Sequence, residues 1–222
     1  MIALVAARNE AGRVGTTVRA IGAIDAVDEV VVVDGASEDG TAEEARGAGA
    51  LVLVGPSAGG KGASLEGALD RVPRADVYLF LDADLEETAA EGARLVEAVA
   101  DGRADLAIGA LPRQEGHGGF RLVKRAASAA IRALCGFSAL EPLSGQRAAA
   151  APVLDAVRPL APGFGVEAAM TIDAVRAGFR VVEVPVAMRH AVTGRDLTGF
   201  VHRGRQGWDL LRAAAPRLLG RR

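Results

Sequence analysis

Five short and almost uninterrupted apolar runs, at residues 2–6, 29–33, 51–54, 77–81 and 106–108, set the terms on which this 222-residue chain can fold. They are rich in Val, Ile and Leu and lack the alternation of a sheet with one wet face, so each reads as a strand covered on both sides. Segments with helical spacing lie between them at 13–21, 41–46, 61–71 and 86–100, long enough for right-handed crossovers between parallel strands. The expectation is an α/β fold with a mostly parallel central sheet flanked by helices. Asp39 or Thr41 is suited to cap the second helix, and Glu86 and Glu87 to complement the dipole of the fourth.

Beyond residue 111 the alternation lapses. Residues 112–119 read as a Gly-rich loop, 120–134 as a helix, and the following stretch with Pro142, Ser144 and Gly145 as irregular. A helix over 164–177 ends at Gly178, 180–186 is strand-like, and a last helix covers 196–219. No internal repeat or linker appears, so residues 1–222 read as one domain, with a first half over about 1–111 and a second over about 112–222.

Composition removes several classes. Half of the residues are hydrophobic and 24% charged, which excludes intrinsic disorder. No run approaches the roughly 18 apolar residues that span a bilayer, and the first residues lack a secretory signal pattern. Cys135 is the sole cysteine, unable to form an internal disulfide or a thiolate cluster. These features together lead to the expectation of a cytoplasmic protein. The net charge of −2 conceals an asymmetry: from Arg195 onward there are seven arginines against two aspartates, a net of +5, while the preceding residues carry a net of −7. A basic amphipathic end suits anionic headgroups, and equally a solvated helix face. With 4% aromatic residues and an acidic body, the chain is not expected to bind nucleic acid.

Chemistry concentrates where strands end. Asp82-Ala83-Asp84 follows the fourth apolar run; two carboxylates around one small residue there can share a hard divalent cation and its phosphate oxygens, or simply cap the next helix. Asp34, at the tip of the second run, is placed to accept hydrogen bonds from a base or ribose, while Ser37, Asp39 and Thr41 can close the turn after it. The stretch from Gly55 to Gly62 nearly matches a P-loop but puts Gly62 where a hydroxyl would hold Mg2+; Lys61 is one of only two lysines. Of His117, His190 and His202, His190 follows a strand and can reach a cation held by Asp84. Glu167 falls in the first turn of a helix after two glycines, where dipole compensation is the simplest reading.

These segments in this order resemble nucleotide-sugar glycosyltransferases of the family 2 type with the GT-A fold. Ala6-Ala7-Arg8-Asn9-Glu10 is similar to the family's Pro-x-x-Asn-Glu loop, with Ala6 in place of Pro. The stretch Asp34 to Thr41 is similar to its Asp-x-Gly-Ser-x-Asp-x-Thr turn, with Ala36 in place of Gly, and Gly60-Lys61-Gly62 to its Gly-Lys-Gly helix start. The resemblance covers most of residues 2–190. The later stretches 142–147 and 163–167 look most like glucosyl-3-phosphoglycerate synthases, and polyprenyl-phosphate glycosyltransferases share much of the pattern.

The resemblance implies a donor site of Ala6, Arg8, Glu10, Asp34, Lys61 and Asp82, with Asp34 on the base and Asp82 on ribose and metal. It implies Mg2+ or Mn2+ on Asp82, Asp84 and His190. A departing diphosphate gathers negative charge, which that cation, Lys61 and Arg195 would offset. Glu167 would be the base if the reaction inverts the anomeric centre, or would orient sugar or acceptor if it retains. Ser144, Gly145, Gln146 and Arg147 would form the floor for an anionic acceptor, a phosphoglycerate-like acid or a polyprenyl phosphate, with Arg195 also on the acceptor side. Peripheral membrane contact through the basic last helix, with Arg203, Arg205, Arg212 and Arg217, and a homodimer are the further associations expected. Two other readings stay open: a P-loop-like nucleotide hydrolase using Lys61 and Asp82, and a nucleotide-sugar-binding module without catalysis.

Overall fold

Side chains of a strand alternate between faces, so a run that is apolar at every position needs a core on each side. The computed structural model, which describes residues 1–56, 59–112, 118–190 and Arg217, has both cores. Strands β1 (Ile2–Ala7), β2 (Glu29–Asp34), β3 (Leu51–Val54) and β4 (Val77–Asp82) run parallel, joined by helices α1 (Val14–Gly22), α2 (Thr41–Gly47) and α3 (Gly60–Leu69). Val5, Val32, Leu79 and Leu81 face Val18 and Ile21 of α1 and Leu95 and Val99 of α4 (Gly92–Ala100). Leu4, Val31, Val33 and Phe80 point the other way, onto Leu65 of α3 and Val166 and Met170 of a later helix. One residue of register would exchange the two sets.

Among the described residues the sheet has seven strands in the order β3-β2-β1-β4-β6-β5-β7. β5 (Leu106–Ala110) pairs in parallel with β7 (Val181–Pro185), and β6 (Arg147–Ala150) lies antiparallel between β4 and β5. The sheet is thus mostly parallel, as expected, but β6 and helix α6 (Ala151–Val157) replace part of the expected irregular stretch. Three alanines gave no strand signal. They fit because Ala148 and Ala149 are wholly enclosed between neighbouring strands and both helical layers, where larger side chains have no room.

Other boundaries also shift. The fourth helix begins as a 3-10 turn, Glu86–Glu91, before α4. Helix α5 (Gly118–Cys135) takes in residues 118 and 119, expected in a loop, whereas 113–117 lie outside the described residues. Helix α7 (Val166–Arg176) follows a short 3-10 turn at Gly163–Gly165. Arg195 and the expected last helix, with His202, Arg203, Arg205 and Arg212, lie outside the described residues apart from Arg217. Arg217 is not on a basic outer face: it is 6% exposed, and its Nε donates to both oxygens of Asp173 on α7 at 2.9 and 3.0 Å.

Candidate active site

The parallel strands deliver their C-terminal ends to one edge. β1 is paired on both sides, Ala7 with Asp34 of β2 and Ala6 with Asp82 of β4, so the two aspartates flank the end of β1. Ala6 is half-buried there, and exposed Arg8 passes over Gly35.

The loop after β1 and the turn after β2 are stitched to each other. Asn9 N–H donates to Ser37 Oγ at 2.9 Å, Glu38 N–H to Asn9 Oδ1 at 3.0 Å, and Glu10 N–H to Thr41 Oγ1 at 2.8 Å. Asp34 Oδ1 accepts from the backbone and hydroxyl of Ser37. The helix cap is Gly40 rather than Asp39 or Thr41; Asp39 accepts from Thr41 N–H at 3.0 Å. The Thr41 hydroxyl bond also holds the exposed Asp39 carboxyl below its usual range. Ser37, Asp39 and Thr41 thus shape the turn, and the hydrogen bonds from Ser37 to buried Asp34, at 5% exposure, fall on one of its two oxygens. Burial pushes the Glu10 carboxyl up despite its bonds from Arg13, at 2.9 Å from Nε and 2.6 Å from Nη2.

Ala36, which occupies the turn's glycine position, adopts a left-handed φ of 62°. An L-residue there costs on the order of 1 kcal/mol against glycine. Ala36→Gly is therefore expected to stabilise the protein by about that much, read as a raised urea midpoint with unchanged slope; a lowered midpoint refutes the strain.

The charged centre lies between β4, α3 and α7. Lys61 Nζ donates to Asp82 Oδ1 at 2.6 Å and lies 3.0 Å from Glu167 Oε1. Burial alone would push the ammonium down, but Asp82 and Glu167 outweigh it and raise it above its ordinary range. Burial likewise raises Asp82, yet Lys61 first and His190 second hold its carboxyl below the usual value. Gln146 grips Asp82 twice: its Nε2 donates to Oδ2 at 2.7 Å and its Oε1 accepts the Asp82 N–H at 3.1 Å. A β-carbon on Gly145 would sit 2.5 Å from Lys61 Nζ and 2.8 Å from Asp82 Oδ2, so a side chain there would have to displace the Lys61–Asp82 pair.

His190 Nδ1 lies 2.9 Å from Asp84 Oδ1, with Nε2 3.4 Å from Gln146 Nε2. Burial lowers the imidazole's pKa, but the Asp84 bond and the charges of Asp82 and Asp84 prevail, and the net shift is upward. Among the described residues no three acidic, histidine or cysteine side chains already surround one point as a closed cage. The expected ligands are paired instead, Asp84 with His190 and Asp82 with Lys61. As a donor set, two carboxylates and an imidazole at strand ends suit a divalent cation that keeps positions open for phosphate oxygens.

Ser144, Gly145, Gln146 and Arg147 underlie this centre rather than opening as a pocket floor. Arg147 is 2% exposed; its Nε donates to Ser144 O and its Nη1 to Thr171 Oγ1, each at 2.9 Å. Nη2 is buried without a hydrogen-bond partner among the described residues, and burial pushes the guanidinium down to about 10. Glu167 is no mere dipole compensator, being 7% exposed and tied to Lys61.

Thr17 escaped the sequence reading. It is fully buried, its hydroxyl donates to Ala83 O and accepts Glu86 N–H, both at 2.8 Å, and so it holds the Asp82-Ala83-Asp84 turn onto α1. A polar residue on the face formed by Val14, Val18 and Ile21 was the available signal.

The P-loop reading fails on geometry. A β-carbon at Gly62 would lie 1.9 Å from Ala161 O, so no hydroxyl side chain fits where a P-loop places its metal ligand. The glycosyl transferase family 2 model, by contrast, matches residues 3–146. The chain belongs to glycosyl transferase family 2. Glucosyl-3-phosphoglycerate synthase from Mycobacterium tuberculosis, in complex with phosphoglyceric acid, superposes on this family 2 chain with a TM-score of 0.80 at 28% identity, covering 96% of this chain and 79% of that one. The same enzyme in complex with Mn2+, uridine-diphosphate and glucosyl-3-phosphoglycerate gives a TM-score of 0.79 at 28% identity and the same coverage. Glycosyltransferase AglJ of Haloferax volcanii is 29% identical over 175 residues, 75% of this chain and 56% of its own length, so the family 2 chain spans little more than half of that relative.

Proposed function

We propose that this chain transfers a hexose from a nucleotide-diphosphate sugar to an anionic acceptor, a phosphoglycerate-like small acid or a polyprenyl phosphate. The observation that carries the proposal is the gathering of Asp34, Lys61, Asp82, Asp84, Glu167 and His190 from β2, α3, β4 and the turn after it, α7 and the segment after β7 onto one sheet edge. The similarity to an enzyme solved with Mn2+, UDP-glucose and phosphoglyceric acid supports it.

Asp34 receives the base with its second oxygen, beside Arg8 and Glu10 at the end of β1. Asp82, fixed by Lys61 and Gln146, faces the ribose. Mg2+ or Mn2+ held by Asp84 and His190, with Asp82 alongside, would supply Lewis-acid stabilisation of the leaving diphosphate. Lys61 adds a fixed positive charge needing no reorganisation during the reaction. Glu167, enclosed and 3.0 Å from Lys61, is better placed to orient sugar or acceptor than to meet a proton in the open. The unpaired, buried Nη2 of Arg147 keeps positive potential behind the acceptor's anion.

Thermal stabilisation by UDP-, GDP- and ADP-sugars, with and without Mn2+, tests this, because a ligand of the native state raises its melting temperature by mass action. One donor is expected to give a shift that grows with Mn2+, and this Mn2+-dependent increment is expected to vanish in Asp84→Ala. A shift that Mn2+ does not enlarge, or an Mn2+-dependent increment that survives Asp84→Ala, overturns the proposal, as does stabilisation by ATP in place of sugar nucleotides. Binding without donor hydrolysis or transfer decides for a non-catalytic module.

A further inference from the structure

Beyond β7 the chain loses regular secondary structure, yet residues 186–190 are held in register against the 3-10 turn that follows Asp84. Side chains supply the rungs. Ala187 N–H donates to Glu91 Oε2 at 3.0 Å, Arg189 N–H donates to Thr88 Oγ1 at 3.2 Å, and His190 Nδ1 lies 2.9 Å from Asp84 Oδ1. Residue numbers rise on one side while they fall on the other, as in an antiparallel ladder. Val186 and Met188 alternate with the rungs and point into the core at 3% and 1% exposure.

The rungs are oriented. The Thr88 hydroxyl donates to Leu85 O, which turns its lone pairs to Arg189 N–H; Arg189 O is 3.4 Å away, too far to compete. Glu91 Oε2 is also met by Arg94 Nη1 at 3.5 Å, which steadies it. Neither Thr88 nor Glu91 belongs to the donor set for the cation. Among the described residues, Thr88 and Glu91 meet the segment that carries His190 through the backbone N–H groups of Arg189 and Ala187.

We propose that Thr88 and Glu91 are positioning residues: they dock residues 187–189 on the turn after Asp84 and thereby bring the His190 imidazole to the cation position. This rests on the reading of Asp84 and His190 as shared ligands given above. Groups that orient a metal ligand are worth about 10- to 100-fold in metal affinity, and one neutral, partly exposed hydrogen bond is worth about 5-fold.

The test is Mn2+ alone titrated into the protein, with free Mn2+ followed by electron paramagnetic resonance. Thr88→Val and Glu91→Ala are each expected to weaken Mn2+ binding about 5-fold. Thr88→Ser and Glu91→Gln, which keep an acceptor oxygen, are expected to stay within about 2-fold of wild type. In a His190→Ala background, Thr88→Val is expected to add nothing, because its effect passes through the imidazole. A merely structural loss would persist undiminished in that background, and this outcome overturns the inference. Wild-type affinity in both Thr88→Val and Glu91→Ala overturns it too. Mn2+ binding that survives Asp84→Ala overturns instead the metal reading on which the inference stands.

Discussion

Lys61→Met is expected to destabilise the protein by about 3 kcal/mol at neutral pH, the lower end for removing one partner of a buried ion pair. The ammonium is 15% exposed and serves two carboxylates, Asp82 at 26% and Glu167 at 8%. A thioether of similar length fills the space beside Gly145 but leaves both charges without their cation. The pH dependence has a definite sign. Asp82 is held below its ordinary 3.8 in the fold, so its contribution is present above that value and lost as pH falls through the lower folded one. Lys61 is raised above 10.5, so its contribution is complete below that value and fades only in strong alkali. The gap between wild type and Lys61→Met therefore holds into weakly alkaline solution and narrows as pH falls, once burial without its cation lets Asp82 in the variant protonate. Urea midpoints across that range measure it. A variant within about 1 kcal/mol of wild type at neutrality, or a gap that widens in acid, contradicts the charge network.

The same network marks how far a sequence can be read. The five parallel strand positions were legible because burial on both faces leaves an unbroken apolar run, and the aspartates at their ends because strand tips are where such folds bind ligands. Strand β6 was hidden because its enclosure demands alanine, a residue whose presence says nothing about strands, and because Arg147 looks like a surface residue until the pairing with Phe80 carries it under α7. Gln146 was legible as a site residue but not in its role: nothing local reveals that its amide reaches Asp82, 64 positions away. Thr17 and Thr88 were missed for a related reason. A hydroxyl that bridges a carbonyl and an N–H from distant turns leaves no periodicity behind, only a polar residue where the pattern would accept an apolar one.

Asp84→Asn is expected to abolish sugar transfer, lowering kcat/KM by about 10³-fold, or roughly 4 kcal/mol of transition-state stabilisation. The substitution keeps the side chain's volume and its place in the turn, where Thr17 fixes Ala83 O and Glu86 N–H whatever residue stands between them. What disappears is the negative charge that faces His190 at 2.9 Å and, under the proposed function, a charged ligand for the cation that would offset the leaving diphosphate. The loss is therefore expected on chemistry and metal affinity together, while nucleotide binding in the presence of a chelator, proposed to rest on Asp34 and the stitched loops of β1 and β2, is expected to stay within about 3-fold of wild type. Asp82→Asn should behave differently: it also strips Lys61 of its closest partner, so it loses stability as well as turnover. Steady-state kinetics, chelated nucleotide binding and urea midpoints on the two variants separate these effects. Turnover of Asp84→Asn within about 10-fold of wild type would mean that the charge on this side chain is not what neutralises the departing group.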